Sequence, residues 1–146
     1  MTLHLLKLCV GINGVGHLRA RQRRRLQARA AAGEPPYLTH VTRHMPRRAA
    51  ELLDGGSLYW VIRGQIRARQ RLIGIEPLYD SAGGRRCELR LDPEVVRTVP
   101  RPQRPHQGWR YFDPADAPPD YAAAAAGSAG ELPPDMMAEL RALGLL

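Results

Sequence analysis

The amino-acid sequence predicts an α+β fold: a curved, mainly antiparallel sheet or partly open barrel, with an arginine-rich helix packed beside it and a C-terminal helix. The length of 146 residues is that of one domain, and 44% hydrophobic with 25% charged residues is the composition of a globular protein. Apolar residues recur at helical spacing after a glycine-rich turn at residues 11–16. Three strand-like segments separated by turns follow between residues 57 and 91.

The chain begins with a predicted strand at residues 3–10, and the glycine-rich turn leads from it into a helix that ends at Gly33. Asn13 is the predicted cap of this helix. One narrow face would pack on the sheet, and it carries Val15, Leu18, Gln22, Leu26 and Ala30. The other faces carry Arg19, Arg21, Arg23, Arg24, Arg25 and Arg29. These guanidinium groups repel one another, so an anionic partner would stabilise them.

A meander of three strands is the clearest pattern of the sequence. Ser57–Ile62 is aromatic and β-branched without polar alternation after the serine, which indicates a strand covered on both faces. Gly64 allows a tight turn into residues 66–75, and residues 86–91 return as the third strand. Alternation along residues 66–75 would place three guanidinium groups on one face, those of Arg67, Arg69 and Arg71.

Shorter elements flank the meander. Residues 37–44 alternate as a strand, and Pro46 begins a short helix that runs to Leu53. Residues 95–99 follow the meander as a further strand, before a run of prolines imposes an extended path. Three of the five residues at 108–112 are aromatic, in a chain with only 5% aromatic residues. This segment is therefore predicted to be either a core anchor or a stacking platform.

Charge divides the chain into a basic body and an acidic tail. Residues 1–112 hold 21 basic and 8 acidic side chains, whereas residues 113–146 hold 1 basic and 6 acidic ones. We predict a single basic domain at residues 1–112, an irregular Pro/Ala-rich acidic linker at 113–131 and an amphipathic helix at 132–146. A strongly basic body attracts polyanions through counterion release, and nucleic acid is the obvious candidate.

Several classes of protein and site are not indicated. The apolar run at residues 3–12 is about half the ~20 residues that cross a bilayer, and no secretory signal is recognisable, so we expect a cytoplasmic protein with no membrane partner. Cys9 and Cys87 are expected to be buried and unpaired. His40 and His44 would lie ~13 Å apart on a strand, too far to share a metal ion. Neither a catalytic motif nor a cofactor fingerprint occurs, so catalytic residues stay unassigned.

The favoured hypothesis is a module that binds RNA or another single-stranded nucleic acid, with RNA preferred to DNA. Guanidinium groups suit phosphate, because their planar fork matches its oxygen atoms. The phosphate-binding residues would be Arg19, Arg23, Arg24, Arg25, Arg67, Arg69 and Arg71. The rings of Trp109 and Tyr111 would stack on bases.

Two alternatives stay open. The first is a pocket for an anionic metabolite or nucleotide, with or without catalysis, because arginine and histidine beside aromatic rings also suit a small anion. Its lining would be His40, Arg43, His44, Tyr59 and Trp60, with Trp109 beside them. The second is an interaction module whose acidic tail covers its own basic face until a partner displaces it.

Two aromatic runs carry a family resemblance. Tyr-Trp-Val at residues 59–61 and Gly-Trp-Arg-Tyr at residues 108–111, with the segments at 39–43 and 69–71, are similar to a family of small bacterial proteins, domain of unknown function 1489. The family has no established activity, so the resemblance implies one small domain and no substrate. A weaker, fold-level resemblance to PUA-like barrels, including ASCH and EVE modules, implies a curved meander entered from a short helix and a glycine-containing turn. Such folds commonly bind RNA or a modified base.

Overall fold

The computed structural model describes residues 1–127, and the helix predicted at residues 132–146 lies outside them. In this part of the chain the strands are β1 (His4–Leu8), β2 (Leu38–Thr42), β3 (Ser57–Ile62), β4 (Gln65–Tyr79), β5 (Arg85–Leu91), β6 (Val96–Pro102) and β7 (Trp109–Phe112). The helices are α1 (Val15–Ala31), α2 (Ala49–Leu52) and α3 (Tyr121–Gly127), and a 3₁₀ turn occupies Pro114–Asp116.

The strands form one sheet with the spatial order β2-β5-β4-β3-β1-β7, and β6 pairs with β4 beside this path. Among the described strands, β1 and β3 pair in parallel and the other pairs are antiparallel. Within residues 1–127, β2 and β7 end the sheet without pairing with each other, so the sheet is unclosed. This mixed, mostly antiparallel sheet with its helices confirms the predicted α+β class.

Strand β3 is covered on both faces, as its composition predicts, and all six of its residues are buried. Leu58 and Trp60 pack into the larger hydrophobic core, which also receives α1. Tyr59 and Val61 pack into a smaller core on the other face. Successive residues of a strand point to opposite faces, so neighbouring aromatic residues of β3 belong to different cores.

Strand β4 is 15 residues long, and it joins the two halves of the sheet. Its first half pairs with β3 and β6, and its second half pairs with β5. A bulge interrupts the first half, because the register passes from Ile66 to Ala68 and skips Arg67. Ile66 therefore joins the smaller core while Ala68 joins the larger one. Three arginines were predicted to alternate regularly on one face of this strand. Because of the bulge at Arg67, only Arg69 and Arg71 keep that regular alternation.

Helix α1 lies on the larger core through the first part of its predicted packing face, whereas Leu26 is half-buried and Ala30 is exposed. The buried residues of the helix are Val15, Leu18 and Gln22. Its first turn differs from the prediction, because Gly14 is the N-cap and Asn13 makes no side-chain capping bond. Instead, the backbone N–H of Asn13 donates to Nδ1 of His17 at 3.1 Å. A side chain inside the first turn thus satisfies a backbone donor in front of the helix.

The structure corrects the prediction of an irregular path after residue 112. A 3₁₀ turn and α3 form there, and Tyr121 is only 2% exposed. Asp120 makes an isolated bridge to Thr98 and a bidentate ion pair with Arg69, with both N–O distances 2.7 Å. Contacts with residues far away in sequence therefore order this segment up to residue 127. The division of the chain into domain, linker and helix stays a prediction.

Candidate functional site

The arginines of α1 fall on different sides of the helix, because each residue turns the helix by about 100°. Arg19 lies on one flank, where its Nη2 donates to the carbonyl oxygen of Val95 at 2.9 Å. Arg21 and Arg25 lie on the other flank, beside β1 and β2. Arg23 and Arg24 are exposed. The predicted phosphate-binding arginines of this helix are therefore not brought together on one face.

Arg19 reaches a groove of about 970 Å³ between α3 and the body, which we call the lateral groove. Its charged lining residues are Arg19, Arg69, Arg71, Arg97, Asp92, Glu94 and Asp120. One helix arginine therefore meets two of the predicted strand arginines there, Arg69 and Arg71. Their charge is largely offset by the three carboxylates, and Arg69 is held by Asp120 and by a 3.1 Å hydrogen bond to Oγ of Ser57.

The other flank of α1 covers a cleft of about 140 Å³, which we call the α1 cleft. The charged side chains that line it are Lys7, Arg21 and Arg25, and none of its described lining residues is acidic. Arg21 Nη1 makes a long, 3.5 Å hydrogen bond to the carbonyl oxygen of Val10. Among residues 1–127, neither Lys7 nor Arg25 forms an ion pair. The described lining of the cleft therefore carries three positive charges and no negative one.

His40 lies in this cleft with its ring 5.3 Å from that of Trp60, in an edge-on arrangement. Its Nε2 is buried without a hydrogen-bond partner in the described structure. Burial lowers the pKa of His40 to about 4, and the positive charges of Lys7 and Arg25 add to this effect. His40 is thus uncharged at neutral pH and can either donate or accept a hydrogen bond through Nε2, depending on its tautomer.

Cys9 also lines the α1 cleft. Both cysteines are buried and free, as predicted. Burial raises the pKa of Cys9 to about 11, despite the opposing effect of Arg21 and Lys7. The thiol is therefore protonated at neutral pH and is not a ready nucleophile.

Buried amides fix one wall of the α1 cleft. Gln22 and Gln70 exchange two side-chain hydrogen bonds, of 2.8 and 2.7 Å. Oε1 of Gln70 also accepts from Nε1 of Trp60 at 2.9 Å, and its Nε2 donates to the carbonyl oxygen of Asp92 at 3.0 Å. Every hydrogen-bonding site of the Gln70 amide is thus used, which fixes the indole of Trp60 in one orientation. Trp60 is 4% exposed and is a wall of the cleft rather than a free stacking surface.

The two aromatic residues predicted to stack on bases lie together on β7. The rings of Trp109 and Tyr111 are 5.0 Å apart in an edge-on arrangement, and Tyr111 is 37% exposed. Nε1 of Trp109 donates to the carbonyl oxygen of His44 at 2.8 Å. The backbone N–H of Arg48 donates to the Tyr111 hydroxyl at 3.1 Å, and the Arg48 guanidinium lies 5.5 Å above the Tyr111 ring. We call Trp109 and Tyr111 the aromatic pair.

The arginines beside the aromatic pair belong to the loop after β2, which the sequence analysis did not single out for phosphate binding. This loop forms one side of a hollow of about 410 Å³, which we call the basic hollow. Its polar lining residues are Arg43, His44, Arg47 and Arg85, and none of its described lining residues is acidic. Arg48 differs from them, because it pairs with Glu51.

The α1 cleft and the aromatic pair adjoin each other. Lys7 of β1 is in register with Trp60 of β3 on one side and with Trp109 of β7 on the other. Residues in register across a sheet share a face. These three side chains therefore form a row from the cleft to the aromatic pair.

The residues predicted to line one pocket are divided by the fold. His40 and Trp60 line the α1 cleft, and Arg43 and His44 line the basic hollow. Tyr59 is on the opposite face of β3, where its ring lies 5.0 Å from His4 and 5.3 Å from Phe112. Tyr59 and Trp60 are consecutive in β3, and consecutive side chains of a strand point to opposite faces of the sheet. The sequence reasoning missed Lys7, Arg21, Arg47 and Arg85, because their relation to these sites depends on tertiary packing and not on a local pattern.

Two further features are absent from residues 1–127. No helix there has both the length and the apolar character to cross a bilayer. No three histidine, cysteine, aspartate or glutamate side chains there come together as a metal site would require.

Comparison with known proteins gives a single result. No protein with a curated description and no solved structure matches the chain, so the resemblance to PUA-like barrels stays a prediction. The family model described as "Protein of unknown function (DUF1489)" matches residues 5–146, which is nearly the whole chain. The chain therefore belongs to the DUF1489 family.

Proposed function

We propose that this protein binds single-stranded nucleic acid on the surface formed by the aromatic pair and the basic hollow. The observation that carries the proposal is the exposed ring of Tyr111, held against Arg48, which follows Arg47 of the basic hollow in the chain. The described lining of that hollow holds arginines and no carboxylate. A single strand offers phosphates and unstacked bases together. Arginines bind the former and aromatic rings stack on the latter.

Phosphate groups would be bound by Arg43, Arg47 and Arg85. No acidic side chain lines the hollow within the described chain, so a phosphate there does not have to displace an existing ion pair. Arg48 has a different role, because Glu51 already neutralises it and its guanidinium covers one side of the Tyr111 ring. A base would stack on the exposed part of that ring. Stacking of one base on an aromatic side chain contributes about 1–3 kcal/mol.

The long-range charge of the body supports the same function. Residues 1–112 hold 21 basic against 8 acidic side chains, and Arg23 and Arg24 are exposed on α1. Such a field accelerates encounter with a polyanion and makes binding sensitive to salt. The lateral groove contributes less, since its carboxylates offset Arg19, Arg69 and Arg71.

The experiment is fluorescence anisotropy with labelled single-stranded RNA and DNA of equal length, titrated with the full chain over a series of salt concentrations. We expect affinity to fall steeply with salt, and Tyr111→Ala and Arg47→Gln each to weaken binding about tenfold. Arg71→Gln is the matched control, because it removes one exposed arginine from the lateral groove.

Three outcomes contradict the proposal: binding that is independent of salt, Arg71→Gln weakening binding as much as Arg47→Gln, and no effect of Tyr111→Ala. Tighter binding of RNA than of DNA would support the RNA preference predicted from the sequence.

A further inference from the structure

Within residues 1–127, the α1 cleft brings positive charges together and no carboxylate lines it to neutralise them. Lys7, Arg21 and Arg25 come from two different elements and face one space of about 140 Å³. None of its described lining residues is acidic. Like charges that converge in a partly enclosed space repel each other more strongly than they do in bulk water. An anion at the mouth of the cleft would therefore stabilise this arrangement.

The interior of the cleft differs from its mouth. Leu18, Leu38, Leu91 and Trp60 form apolar walls. Nε2 of His40, another lining residue, is buried with no hydrogen-bond partner among the described residues. Buried polar atoms in folded proteins are nearly always hydrogen-bonded, so an unpartnered imidazole nitrogen indicates a place for a ligand atom or a water. A space of this size takes about four or five water molecules, or a single small ring.

These observations lead to one ligand class. We propose that the α1 cleft binds a compact organic anion, a phosphomonoester or carboxylate that carries one small ring or apolar group. The anionic group is held by Lys7, Arg21 and Arg25 at the mouth. The ring lies between Trp60 and the leucines, and Nε2 of His40 makes a hydrogen bond to the oxygen atom bound to the ring. This site is distinct from the surface proposed for nucleic acid, whose arginines come from the loop after β2 and from β5.

The wall that meets the ring is fixed in advance. Gln70 accepts from the Trp60 indole and is paired with Gln22 through both amide groups. His40 lies against the same indole. The binding surface therefore needs little reordering when the ligand arrives, which lowers the entropic cost of binding.

The test uses isothermal titration calorimetry of the full chain with three probes: phenyl phosphate, inorganic phosphate and phenol. If ring and anion bind together, phenyl phosphate binds at least about tenfold more tightly than either of the other two. The ring carbon resonances of His40 are followed by NMR in the same titration. Their pH midpoint is expected to move upward from about 4 when phenyl phosphate is bound, because a nearby anion favours the charged imidazole.

Two variants of α1 give the matched comparison. Arg25→Gln removes a charge that lines the cleft, whereas Arg24→Gln removes its neighbour, an exposed arginine outside the cleft. We expect Arg25→Gln to weaken phenyl phosphate binding about tenfold and Arg24→Gln by less than about twofold. Circular dichroism establishes that both variants are folded.

Three results overturn the proposal. Equal weakening by the two variants would mean that only the general charge of α1 is involved. Equal binding of phenyl phosphate and inorganic phosphate would mean that the apolar interior is not used. Unchanged His40 resonances would place the ligand elsewhere. A failure here leaves the nucleic-acid proposal standing, because that one is decided by Tyr111→Ala and Arg47→Gln, which lie outside the cleft.

Discussion

Gln22 of α1 and Gln70 of β4 face each other in the protein interior and join their amide groups through two hydrogen bonds of 2.8 and 2.7 Å. Gln70 is completely buried and Gln22 nearly so. The pair connects the helix to the centre of the sheet, and Gln70 extends the connection to the Trp60 indole and to the backbone after β5. A buried network of this kind stabilises a fold only while every member keeps its partners.

The first prediction concerns this network. Gln70→Leu leaves the Trp60 N–H, the Asp92 carbonyl and the Gln22 amide without partners, so we expect it to lower the free energy of unfolding by about 2–4 kcal/mol. Gln27→Leu, an exposed position on the same helix, should change stability by less than about 0.5 kcal/mol. Urea denaturation followed by tryptophan fluorescence measures both. Similar stabilities for the two variants would contradict the importance of the network.

The second prediction compares two glycines. A β-carbon at Gly56 would overlap the backbone carbonyl oxygens of Leu3 and Leu52, so Gly56→Ala should cost more than about 3 kcal/mol or prevent folding. Gly16 lies in the first turn of α1 with open space around it, and its replacement by alanine favours the helix. Gly16→Ala should therefore stabilise the protein by about 0.5–1 kcal/mol. Thermal denaturation distinguishes the two, and a tolerated Gly56→Ala would be inconsistent with the close approach of the backbone.

The third prediction is a dependence of stability on pH. The pKa of His40 is about 4 in the folded chain, mainly because of burial, against 6.5 for an unperturbed histidine. The unfolded chain therefore binds the proton first as the pH falls. The contribution of His40 is fully present above about pH 6.5 and is lost as the pH falls to about 4.

Because His40 is partly accessible, this loss amounts to about 1–3 kcal/mol. The measurement is urea denaturation of the wild type and of His40→Gln between pH 4 and 7. The variant should lose less stability over this interval, although not become independent of pH, because the pKa values of His4 and His106 are also lowered by burial. Parallel pH profiles of the two proteins would exclude a special environment for His40.

The fourth prediction concerns the segment after β7. Asp120 holds Arg69 in a half-exposed bidentate pair, so Asp120→Ala should lower the free energy of unfolding by about 1 kcal/mol. The same change should accelerate hydrogen exchange of the Val99 N–H, which donates to the carbonyl oxygen of Pro119 at 2.9 Å. Asp116→Ala, at an exposed aspartate without an ion pair among residues 1–127, is the control. Exchange that is equally slow in both variants would show that other contacts order the segment.

The sequence predicts the helices and strands better than it predicts which of them contact one another. The bounds of β3 are correct, because a continuous run of aromatic and β-branched residues between glycines allows few other structures. The bulge at Arg67 is not predictable, because Ile66, Ala68, Gln70 and Leu72 alternate as regularly as in an unbroken strand. The prediction of an irregular segment also fails at α3, because it gave weight to proline and low complexity although alanine is the strongest helix former. The partner that Asp120 pairs with, Arg69, lies about fifty residues away in sequence.

The candidate site is predicted only in its residue types. Arginine beside aromatic rings is present, but the arginines next to Trp109 and Tyr111 come from the loop after β2 and not from β4. That loop is some 65 residues away from β7 in sequence. A local sequence pattern does not indicate which segments so far apart in the chain come into contact. The rings of His40 and Trp60, two members of the predicted pocket, lie 5.3 Å apart, although β5 and β4 lie between their strands in the order of the sheet.

The position of β1 also constrains when the molecule can form during its synthesis. Among the described strands β1 comes first in the chain, yet it lies between β3 and β7, whose last residue is Phe112. A nascent chain therefore leaves the edge of β1 that pairs with β7 exposed until about a hundred further residues have been synthesised. Pairings between such distant segments are slow to form and leave the incomplete sheet open to aggregation.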